Sequence, residues 1–578
     1  MKKFKFDDSI KFVYLFMLKK KFYIVIFILL IGLNTFFDIL EPKFAKTLID
    51  TSLNTSYTND ILMLGGLWML IFICKYINRY IFQILSLKFK ISVFSDIQNY
   101  LFNHTLKLPI SFYQKNSPSY LVSRQFDDTF GIDGLMIYNI IEGLFSMIQF
   151  LIILGIMFKY NILLALLSMI LISLDIVINF SFPLKKLYKN HNEDLAVAKK
   201  ELTNSFQGIK LIKISNKIDY EINRNYKFLK KYYFSLRKRD NTNIIRNLIS
   251  RLLKDLSIPI IVIVGVLLIY KNSITVGTVT LFLIYFNKLS QAFVPAINLV
   301  PLFKISKASA ERLYNLSTID PEESPFSFKD RHKLNHIDLI EFKNLSFSYD
   351  ENNQVLNDIN FKIKSNQFIA FVGQSGSGKT SIIKLLLKLF NPSKGSIYIN
   401  GIDINSIDTQ TLRKLISYVD QEGFLFNRSL YENLTYNYES LNSENLINDY
   451  INEFSLDPLI SNLSDGLNSK ISEDSSNLSG GEKQRICIIR ELLKKSSVLI
   501  LDEYTSSLDT ITENKIQSKL MNLAKNKMII MIAHKLSTIK NADKIFVLDD
   551  GNIVESGTHD ELMMIQGKYY NLYLNQKN

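Results

Sequence analysis

The segment 373–381 reads Gly373-Gln374-Ser375-Gly376-Ser377-Gly378-Lys379-Thr380-Ser381. An apolar run, 368–372, comes directly before it, and helical spacing begins near Lys379. In this strand–loop–helix context, glycines let backbone N–H groups close around phosphates, and the helix N-terminus adds partial positive charge. The segment therefore predicts a nucleotide phosphate site, in which Lys379 reaches the β- and γ-phosphates and the Thr380 hydroxyl coordinates Mg²⁺.

Further apolar runs in the C-terminal third end close to polar residues. The runs are 417–419, 498–501 and Met528–Ile532. Gln421, Asp502 and His534 come shortly after them. Short apolar runs interleaved with helices are typical of a mostly parallel, buried sheet, whose ligands bind at the carboxyl ends of the strands. We therefore expect these residues to lie near Gly373 at one edge of the sheet.

The residue types at this edge suit phosphoryl transfer. Asp502 ends a fully apolar run, where an unpaired carboxylate would be costly and Mg²⁺ would remove that cost. Glu503 can polarise the attacking water, because positioning and charge stabilisation do most of the work in this chemistry. His534 is suited to contact the γ-phosphate and to hold Glu503 and the water in place. The pattern predicts a nucleotide-hydrolysing enzyme.

Long apolar runs dominate the part of the chain before residue 310. A membrane-spanning helix needs roughly 20 apolar residues. Six candidate runs lie at 22–40, 61–85, 135–158, 162–182, 256–270 and 279–300. The fifth is short and could also be a buried soluble helix. We predict six spans, because the topology requires the fifth.

The formal net charge of +14 is concentrated beside these runs. Lys and Arg crowd the N-terminus and the connection between the fourth and fifth runs, whereas the connections near 159–161 and 271–278 carry little charge. By the positive-inside rule, the N-terminus and the nucleotide-binding part are cytoplasmic. This distribution explains the charge without nucleic acid, which we do not expect as a partner. The two cysteines, Cys74 and Cys487, lie in different parts of the chain and predict no disulfide or metal site.

The chain divides by composition into three parts. We predict a helical membrane domain at 1–316, a linker rich in Pro, Ser and acidic residues at 317–335, and a nucleotide-binding domain at 336–578. The long polar segments 86–134 and 183–255 have amphipathic spacing and predict continuous polar helices rather than loops. In the simplest arrangement the spanning helices run far into the cytoplasm, turn and come back.

After the linker, the apolar period changes to two. Residues 340–342 and 345–349 alternate as half-buried strands do. Asp550-Gly551 lies between two apolar runs and predicts a hairpin turn.

Residues 340–562 resemble an ATP-binding-cassette (ABC) nucleotide-binding domain. The resemblance rests on the phosphate loop, on Leu478-Ser479-Gly480-Gly481-Glu482, which matches the family signature, and on Leu499-Ile500-Leu501-Asp502-Glu503. It implies that Tyr349 stacks on adenine and that Gln421 is the Q-loop glutamine, next to both Mg²⁺ and the catalytic water. It also implies a D-loop at 506–509 and makes His534 the switch histidine.

The membrane half is similar to the type I exporter family. The segments 108–113, 208–216 and 308–316 resemble its two coupling segments and its exit from the sixth span. The fold class implied is a six-helix membrane domain fused to an α/β P-loop ATPase. Both Glu503 and the signature are intact, which implies a hydrolysis-competent site that binds ATP and Mg²⁺.

The resemblance also implies a second subunit. In this family the signature of one cassette completes the ATP site of another, so Ser479, Gly480, Gly481 and Glu482 would bind ATP across a dimer interface. One chain carries one cassette, and a symmetric homodimer with two equal sites is the simpler assembly, although a heterodimer is also possible.

The leading hypothesis is an ATP-driven exporter in the cell membrane. Its substrate would be a hydrophobic or amphipathic small molecule, a lipid or a peptide. An ATP-gated channel or regulator, and an importer built on the same fold, remain alternatives. Asp175, within the fourth run, either serves function or pairs with a cation such as Lys75 or Arg79. Glu142, Asn287 and Gln291 are further candidates to line a cavity.

Overall fold

The structure of the protein is a computed structural model. It describes residues 7–54, 58–323, 332–350, 353–421, 423–436, 444–472, 478–504, 510–533 and 535–577; within these, the side chains of residues 54, 292–301, 350, 510–512 and 577 are left undescribed. The chain forms two compact units. One contains Met1–Leu106 and Pro118–Ile319, and the other contains Lys107–Ser117 and Asp320–Asn578.

Long helices make up the first unit. The helices before residue 320 are α1 (Asp8–Leu18), α2 (Lys21–Asn54), α3 (Thr58–Thr105), α4 (Ile110–Lys115), α5 (Pro118–Ser123), α6 (Thr129–Gly131), α7 (Ile137–Tyr160), α8 (Ile162–Ser181), α9 (Leu184–Gln207), α10 (Ile209–Ile214), α11 (Ile218–Tyr270) and α12 (Val276–Ser317). Among the described residues, five helical segments are long and apolar enough to cross a membrane. They contain the first five predicted runs, and the sixth run lies in α12, whose side chains are described only in part.

The long polar segments are helical, and the chain turns within each of them, as expected. The first is interrupted after Thr105 by a turn and the short helix α4, and the second by Gly208 and α10. Pro109 precedes α4, and proline lacks the N–H that a continuing helix needs. In the second segment, Asn216 adopts a left-handed backbone with φ of 49°, which ends the helical path.

Buried ion pairs connect three membrane helices. The Nζ atom of Lys288 on α12 lies 2.6 Å from Asp38 and 2.7 Å from Glu41, both on α2. The Nζ atom of Lys75 on α3 lies 2.6 Å and 3.2 Å from the same two carboxylates. These four residues, which we call the charge quartet, are each at most 18% exposed. Two positive and two negative charges thus neutralise one another where water is scarce.

Asp175 is paired, but not with the cations predicted from the sequence. Its carboxylate accepts a hydrogen bond from Ser250 and lies 3.4 Å from the Nζ atom of Lys254, both on α11. Lys75 belongs to the charge quartet instead. The pairing of Asp175 therefore joins α8 to α11, which pack against each other.

Two sheets form the scaffold of the second unit. The strands are β1 (Leu339–Asp350), β2 (Asn353–Lys364), β3 (Phe368–Gly373), β4 (Lys394–Ile399), β5 (Ile402–Asp403), β6 (Ile416–Val419), β7 (Val498–Asp502), β8 (Met528–Ile532), β9 (Lys544–Asp549) and β10 (Asn552–Gly557). The smaller sheet has the order β2-β1-β4-β5, and the larger has the order β10-β9-β3-β8-β7-β6. In the larger sheet, β3, β8, β7 and β6 are neighbours and run parallel, which confirms the predicted buried parallel sheet.

Local sequence signals account for one strand, one hairpin and one turn in these sheets. The predicted strands 340–342 and 345–349 are one strand, β1, with a register shift between Phe342 and Leu345. The hairpin of β9 and β10 turns at Asp550 and Gly551, with φ of 44° and 78° as a type I′ turn requires. Asn366 has φ of 58°, a left-handed conformation that Asn tolerates.

Helices cover both faces of the larger sheet. They are α13 (Lys379–Leu386), α14 (Thr409–Leu415), α15 (Leu430–Thr435), α16 (Glu444–Glu453), α17 (Asp457–Asn462), α18 (Gly480–Leu493), α19 (Thr510–Ala524), α20 (His559–Ile565) and α21 (Lys568–Lys577). All five residues of β7 and of β8 are buried. Their continuous apolar sequences are therefore explained by burial on both faces.

Candidate active site

The loop between β3 and α13 is built around glycines. Gly373 ends β3 with φ of 153°, and a Cβ atom there would lie 2.2 Å from the carbonyl oxygen of Leu548. Gly378 has φ of 102°, directly before α13. A side chain at either position would clash or strain the backbone. The loop 374–378 therefore returns the chain tightly from strand to helix.

Lys379 is held by this loop. Its side chain is buried, and its Nζ atom donates hydrogen bonds to the carbonyl oxygens of Gly373 and Gln374, at 2.9 Å and 2.8 Å. Burial lowers the pKa of Lys379, and the charges of Glu503 and Asp502 oppose that change. The ammonium group therefore lies next to the backbone that is expected to receive phosphates.

A cavity of about 430 Å³ opens over the loop. Half of the predicted site residues line it, namely Tyr349, Ser375, Gly376, Gly378, Lys379, Thr380, Ser381, Gln421 and Glu503. Val355, which the sequence analysis did not single out, lines it as well. At one side, the hydroxyls of Tyr349 and Ser381 are 3.0 Å apart. The tyrosine ring is 40% exposed and is therefore available for stacking.

Asp502 ends β7 with one carboxylate oxygen unpaired. Its Oδ2 atom accepts a hydrogen bond of 3.3 Å from the Tyr418 hydroxyl, whereas the buried Oδ1 atom has no partner among the described residues. Burial, with a smaller contribution from the charge of Glu503, raises the pKa of the Asp502 carboxyl to about 6. The Thr380 hydroxyl interacts with the same carboxyl. These oxygen atoms are suited to a divalent cation that prefers oxygen ligands. The residues present therefore fit Mg²⁺.

Glu503 and Gln421 are in direct contact. The Nε2 atom of Gln421 donates a hydrogen bond of 2.6 Å to Oε2 of Glu503. Glu503 has φ of 48°, a left-handed conformation that costs a side-chain-bearing residue about 1–2 kcal/mol. Its backbone N–H donates to the carbonyl of Ile532 on β8, which helps to hold this conformation.

Tyr418 is a site residue that the sequence analysis missed. Its hydroxyl lies 3.1 Å from Asp420 and 3.3 Å from Asp502, and these carboxylates raise the pKa of Tyr418 beyond the effect of its burial. The only sequence signal was its place in the run that leads to Gln421. β6 lies beside β7 in the sheet, and this strand order brings Tyr418 to Asp502.

Family comparisons match both halves of the chain. Residues 356–506 match the ABC transporter model, and residues 24–293 match the ABC transporter transmembrane region. The ATP-dependent lipid A-core flippase of Desulfotalea psychrophila is 30% identical over 512 residues, which cover 87% of this chain and 88% of that protein. The chain belongs to the ABC transporter family. Its activity is ATP hydrolysis coupled to transport across a membrane.

Two further comparisons agree with an ABC transporter. A lactococcin-A transport/processing ATP-binding protein of Lactococcus lactis subsp. lactis is 32% identical over 565 residues, which cover 94% of this chain and 75% of that protein. A solved structure of a bacterial Atm1-family ABC exporter with ATP bound superposes with a TM-score of 0.79. It is 22% identical and covers 96% of this chain and 98% of its own, so the likeness concerns the fold.

The signature of this ABC transporter begins α18 and does not line the described cavity. The Oγ atom of Ser479 accepts a hydrogen bond from the N–H of Glu482, and the Glu482 carboxylate accepts one of 2.7 Å from the N–H of Ser479. This reciprocal capping box leaves Gly480 and Gly481 in the first turn of the helix. In this structure the Glu482 carboxylate therefore caps the N-terminus of α18.

Two predicted elements of the site cannot be placed. His534 and the D-loop at 506–509 lie outside the described residues.

Proposed function

We propose that this chain is one half of an ATP-driven exporter, with a membrane domain at 1–316, a linker at 317–335 and an ATPase domain at 336–578. One observation carries the proposal. Lys379, Thr380 and Glu503 line a single cavity in a chain that also contains five apolar helical segments of membrane-spanning length. Conversion of ATP binding into movement of those helices is the function that this combination supports best.

ATP binding is assigned to the loop 373–381 and to Tyr349. The adenine base stacks on the exposed tyrosine ring, and the backbone N–H groups of the loop surround the phosphates. Lys379 then turns from the carbonyls of Gly373 and Gln374 to the β- and γ-phosphates, because oxyanions are stronger acceptors for an ammonium group than carbonyls are.

Mg²⁺ is assigned to Thr380, Gln421 and Asp502. The unpaired Oδ1 atom of Asp502 supports this assignment, because a cation relieves the cost of burying that carboxylate. Bound Mg²⁺ supplies charge neutralisation on the triphosphate oxygens.

Glu503 is assigned as the residue that orients and polarises the attacking water. Its hydrogen bond from Gln421 orients the carboxylate at the end of β7, beside the loop that is proposed to hold the phosphates. His534 is proposed to contact the γ-phosphate and to support Glu503, as the family resemblance implies.

A second copy of the chain is proposed as the partner subunit. Ser479, Gly480, Gly481 and Glu482 lie away from the cavity of their own chain, as they would if they completed the site of another cassette. A homodimer is favoured because the Glu503 site and the signature are both intact, so two equal sites can form.

Closure of two such sites would drive the membrane helices from inward-facing to outward-facing. A change from 1:99 to 99:1 requires about 5.5 kcal/mol of differential binding, which two bound nucleotides can supply. Hydrolysis then resets the transporter. We place the N-terminus and the ATPase domain in the cytoplasm of a plasma-membrane protein, following the distribution of Lys and Arg. The substrate is a hydrophobic or amphipathic small molecule, lipid or peptide.

The test is Mg²⁺-ATPase activity of the chain reconstituted alone in lipid, beside Glu503→Gln. We expect turnover in the unchanged chain and a loss of at least about a hundredfold in the variant, because a glutamine cannot polarise the water. Nucleotide binding should persist in the variant. A folded, nucleotide-binding but inactive chain would contradict a competent homodimer.

The direction of transport needs a separate measurement. In inside-out vesicles, an exporter concentrates its substrate inside the vesicle when ATP is added outside. Movement in the opposite sense would contradict export, and current without stoichiometric hydrolysis would indicate a channel.

A further inference from the structure

A polar stripe runs between two membrane helices. On α2 it comprises Asn34, Asp38 and Glu41, at positions that share one helix face. On α3 it comprises Lys75, Asn78, Arg79 and Gln83, which recur with the same helical spacing. The two helices pack along each other. Polar groups in the spans are costly unless they are paired or functional, so the partners of each group are informative.

One end of this stripe is saturated. Asp38, Glu41 and Lys75 belong to the charge quartet, in which each lysine contacts both carboxylates. The two lysines and two carboxylates at this end satisfy one another and need no ligand.

The other end opens into a pocket of about 250 Å³. Its polar lining consists of Asn34, Asn78, Arg79, Gln83 and Glu142, and the rest of its lining is apolar. The pocket is smaller than the roughly 300–1,000 Å³ of typical small-molecule sites. It therefore suits the polar head of a molecule whose apolar part lies elsewhere.

Within the described residues, two amide oxygens in the pocket have no hydrogen-bond donor. Asn78 is 5% exposed, and its Nδ2 atom donates a hydrogen bond of 2.9 Å to the carbonyl of Leu30. That bond orients the amide, so its buried Oδ1 atom is an acceptor with no partner among the described residues. The Oδ1 atom of Asn34 is also buried and has no hydrogen-bond partner among the described residues. Buried acceptors require donors, so a ligand that brings N–H groups would satisfy both.

Charges of both signs complete the lining. Arg79 and Glu142 are exposed, and neither makes an ion pair or hydrogen bond with another side chain in the described part of the chain. A charge directed at lipid tails is very unfavourable, so this face must meet a polar cavity or a second subunit. Glu142 was predicted from the sequence to line a cavity, and it lines this one.

We propose that this pocket binds the zwitterionic head of an amphiphilic transport substrate, with its primary ammonium group on Asn34, Asn78 and Glu142 and its anionic oxygen on Arg79. The assignment rests on the proposed exporter function and names its substrate class. N–H groups are essential to it, because a quaternary ammonium carries the same charge but cannot donate to the two amide oxygens. A phosphoethanolamine lipid carries both groups in its head, and a short apolar peptide carries the ammonium group at one end and a carboxylate at the other.

Matched ligands test the role of the N–H groups. Binding is measured by equilibrium dialysis to the nucleotide-free chain in nanodiscs of phosphatidylglycerol, which carries no amine. The lipid arm compares lysophosphatidylethanolamine with lysophosphatidylcholine, and the peptide arm compares trileucine with its N-trimethyl form. We expect the primary ammonium ligand to bind about tenfold more tightly in one arm, which also identifies the source. Equal binding of both members of each pair, or no binding in either arm, overturns the proposal.

Variants locate the effect in the pocket. Asn34→Leu and Glu142→Gln should each reduce the preference for the primary ammonium to about twofold or less. Thr47→Val is the matched control, because it removes a hydroxyl from α2 that is bonded only within the helix and does not line the pocket. It should keep the full preference. An unchanged preference in Asn34→Leu and Glu142→Gln overturns the proposal, provided that both variants still unfold cooperatively and bind nucleotide.

The binding assay contains no ATP, so it separates this proposal from the exporter function. A preference without Mg²⁺-ATPase activity would contradict an exporter that is active as a homodimer and leave the pocket assignment standing. ATPase activity without a preference for the primary ammonium would contradict the pocket assignment and leave the exporter function standing.

Discussion

Gln421 and Glu503 are joined by a hydrogen bond of 2.6 Å from carboxamide to carboxylate. Gln421 follows β6 and Glu503 follows β7, two parallel neighbours in the larger sheet. The bond therefore connects the ends of adjacent strands on the side where ATP is proposed to bind. Any movement of the loop at Gln421 reaches the proposed catalytic carboxylate directly.

Gln421→Ala should lower kcat for ATP about tenfold and change the KM for ATP much less. The variant removes the donor that orients Glu503, while the phosphate loop and Tyr349 remain. Steady-state ATPase assays give both constants. Gln410→Ala, an exposed glutamine on α14, is the control. An unchanged kcat, or a loss confined to KM, would show that the hydrogen bond has no catalytic role.

Tyr418→Phe should weaken cation binding at the ATP site several-fold. The variant keeps the ring and removes the hydroxyl that donates to Asp502, so the carboxylate is less well stabilised and oriented. Electron paramagnetic resonance of Mn²⁺ measures this affinity in the presence of a non-hydrolysable ATP analogue. Tyr398→Phe, on β4, is a matched control. Equal Mn²⁺ affinity in Tyr418→Phe and the unchanged chain would refute the prediction.

Asp502→Asn should stabilise the nucleotide-free protein at neutral pH while it abolishes ATPase activity. Burial raises the pKa of this carboxyl from 3.8 to about 6, so the folded protein holds the proton more tightly than the unfolded chain does. Stability is therefore lost as pH rises from about 4 to about 6, and the variant avoids a loss of about 2–3 kcal/mol.

Thermal unfolding with a chelator present tests this expectation. The Tm of Asp502→Asn should exceed that of the unchanged chain at pH 7.5, and the difference should shrink towards pH 4.5. Asp465→Asn, at an exposed position, should behave like the unchanged chain at both pH values. A variant less stable at pH 7.5 would contradict the conclusion that burial of the charged Asp502 carboxylate is costly.

Lys288→Met should destabilise the membrane domain by about 3–5 kcal/mol. The variant leaves Asp38 and Glu41 with only Lys75, and an uncompensated buried charge is costly. Lys288→Met combined with Glu41→Gln should recover most of the loss, because one positive and one negative charge remain. Thermal unfolding in detergent compares the two. If the combined variant were no more stable than Lys288→Met alone, the balance of charge in the quartet would not explain its stability.

Much of the architecture follows from short stretches of sequence. The loop 373–381 could be recognised because its glycines, Lys379 and Thr380 are contiguous, and backbone geometry requires glycine at Gly373 and Gly378. The spans could be recognised because crossing a bilayer requires a long apolar run. The buried strands β7 and β8 were equally visible, since both of their faces exclude water.

Other expectations failed where they depended on distant parts of the chain. The sequence suggested Lys75 or Arg79 as the cation for Asp175, but the structure pairs Asp175 with Lys254. Which lysine meets which carboxylate depends on how the helices pack and rotate, and charge in the sequence carries no such information.

By itself, therefore, the sequence determined the phosphate loop, the parallel core of the ATPase domain and the membrane-spanning runs, because local backbone and solvation requirements dictate them. Only the tertiary structure decided that Tyr418 meets Asp502, that Gln421 holds Glu503, and that the charge quartet closes one end of a polar stripe. These contacts join residues that are far apart in the chain. Strand order and helix packing, which no single segment encodes, bring them together.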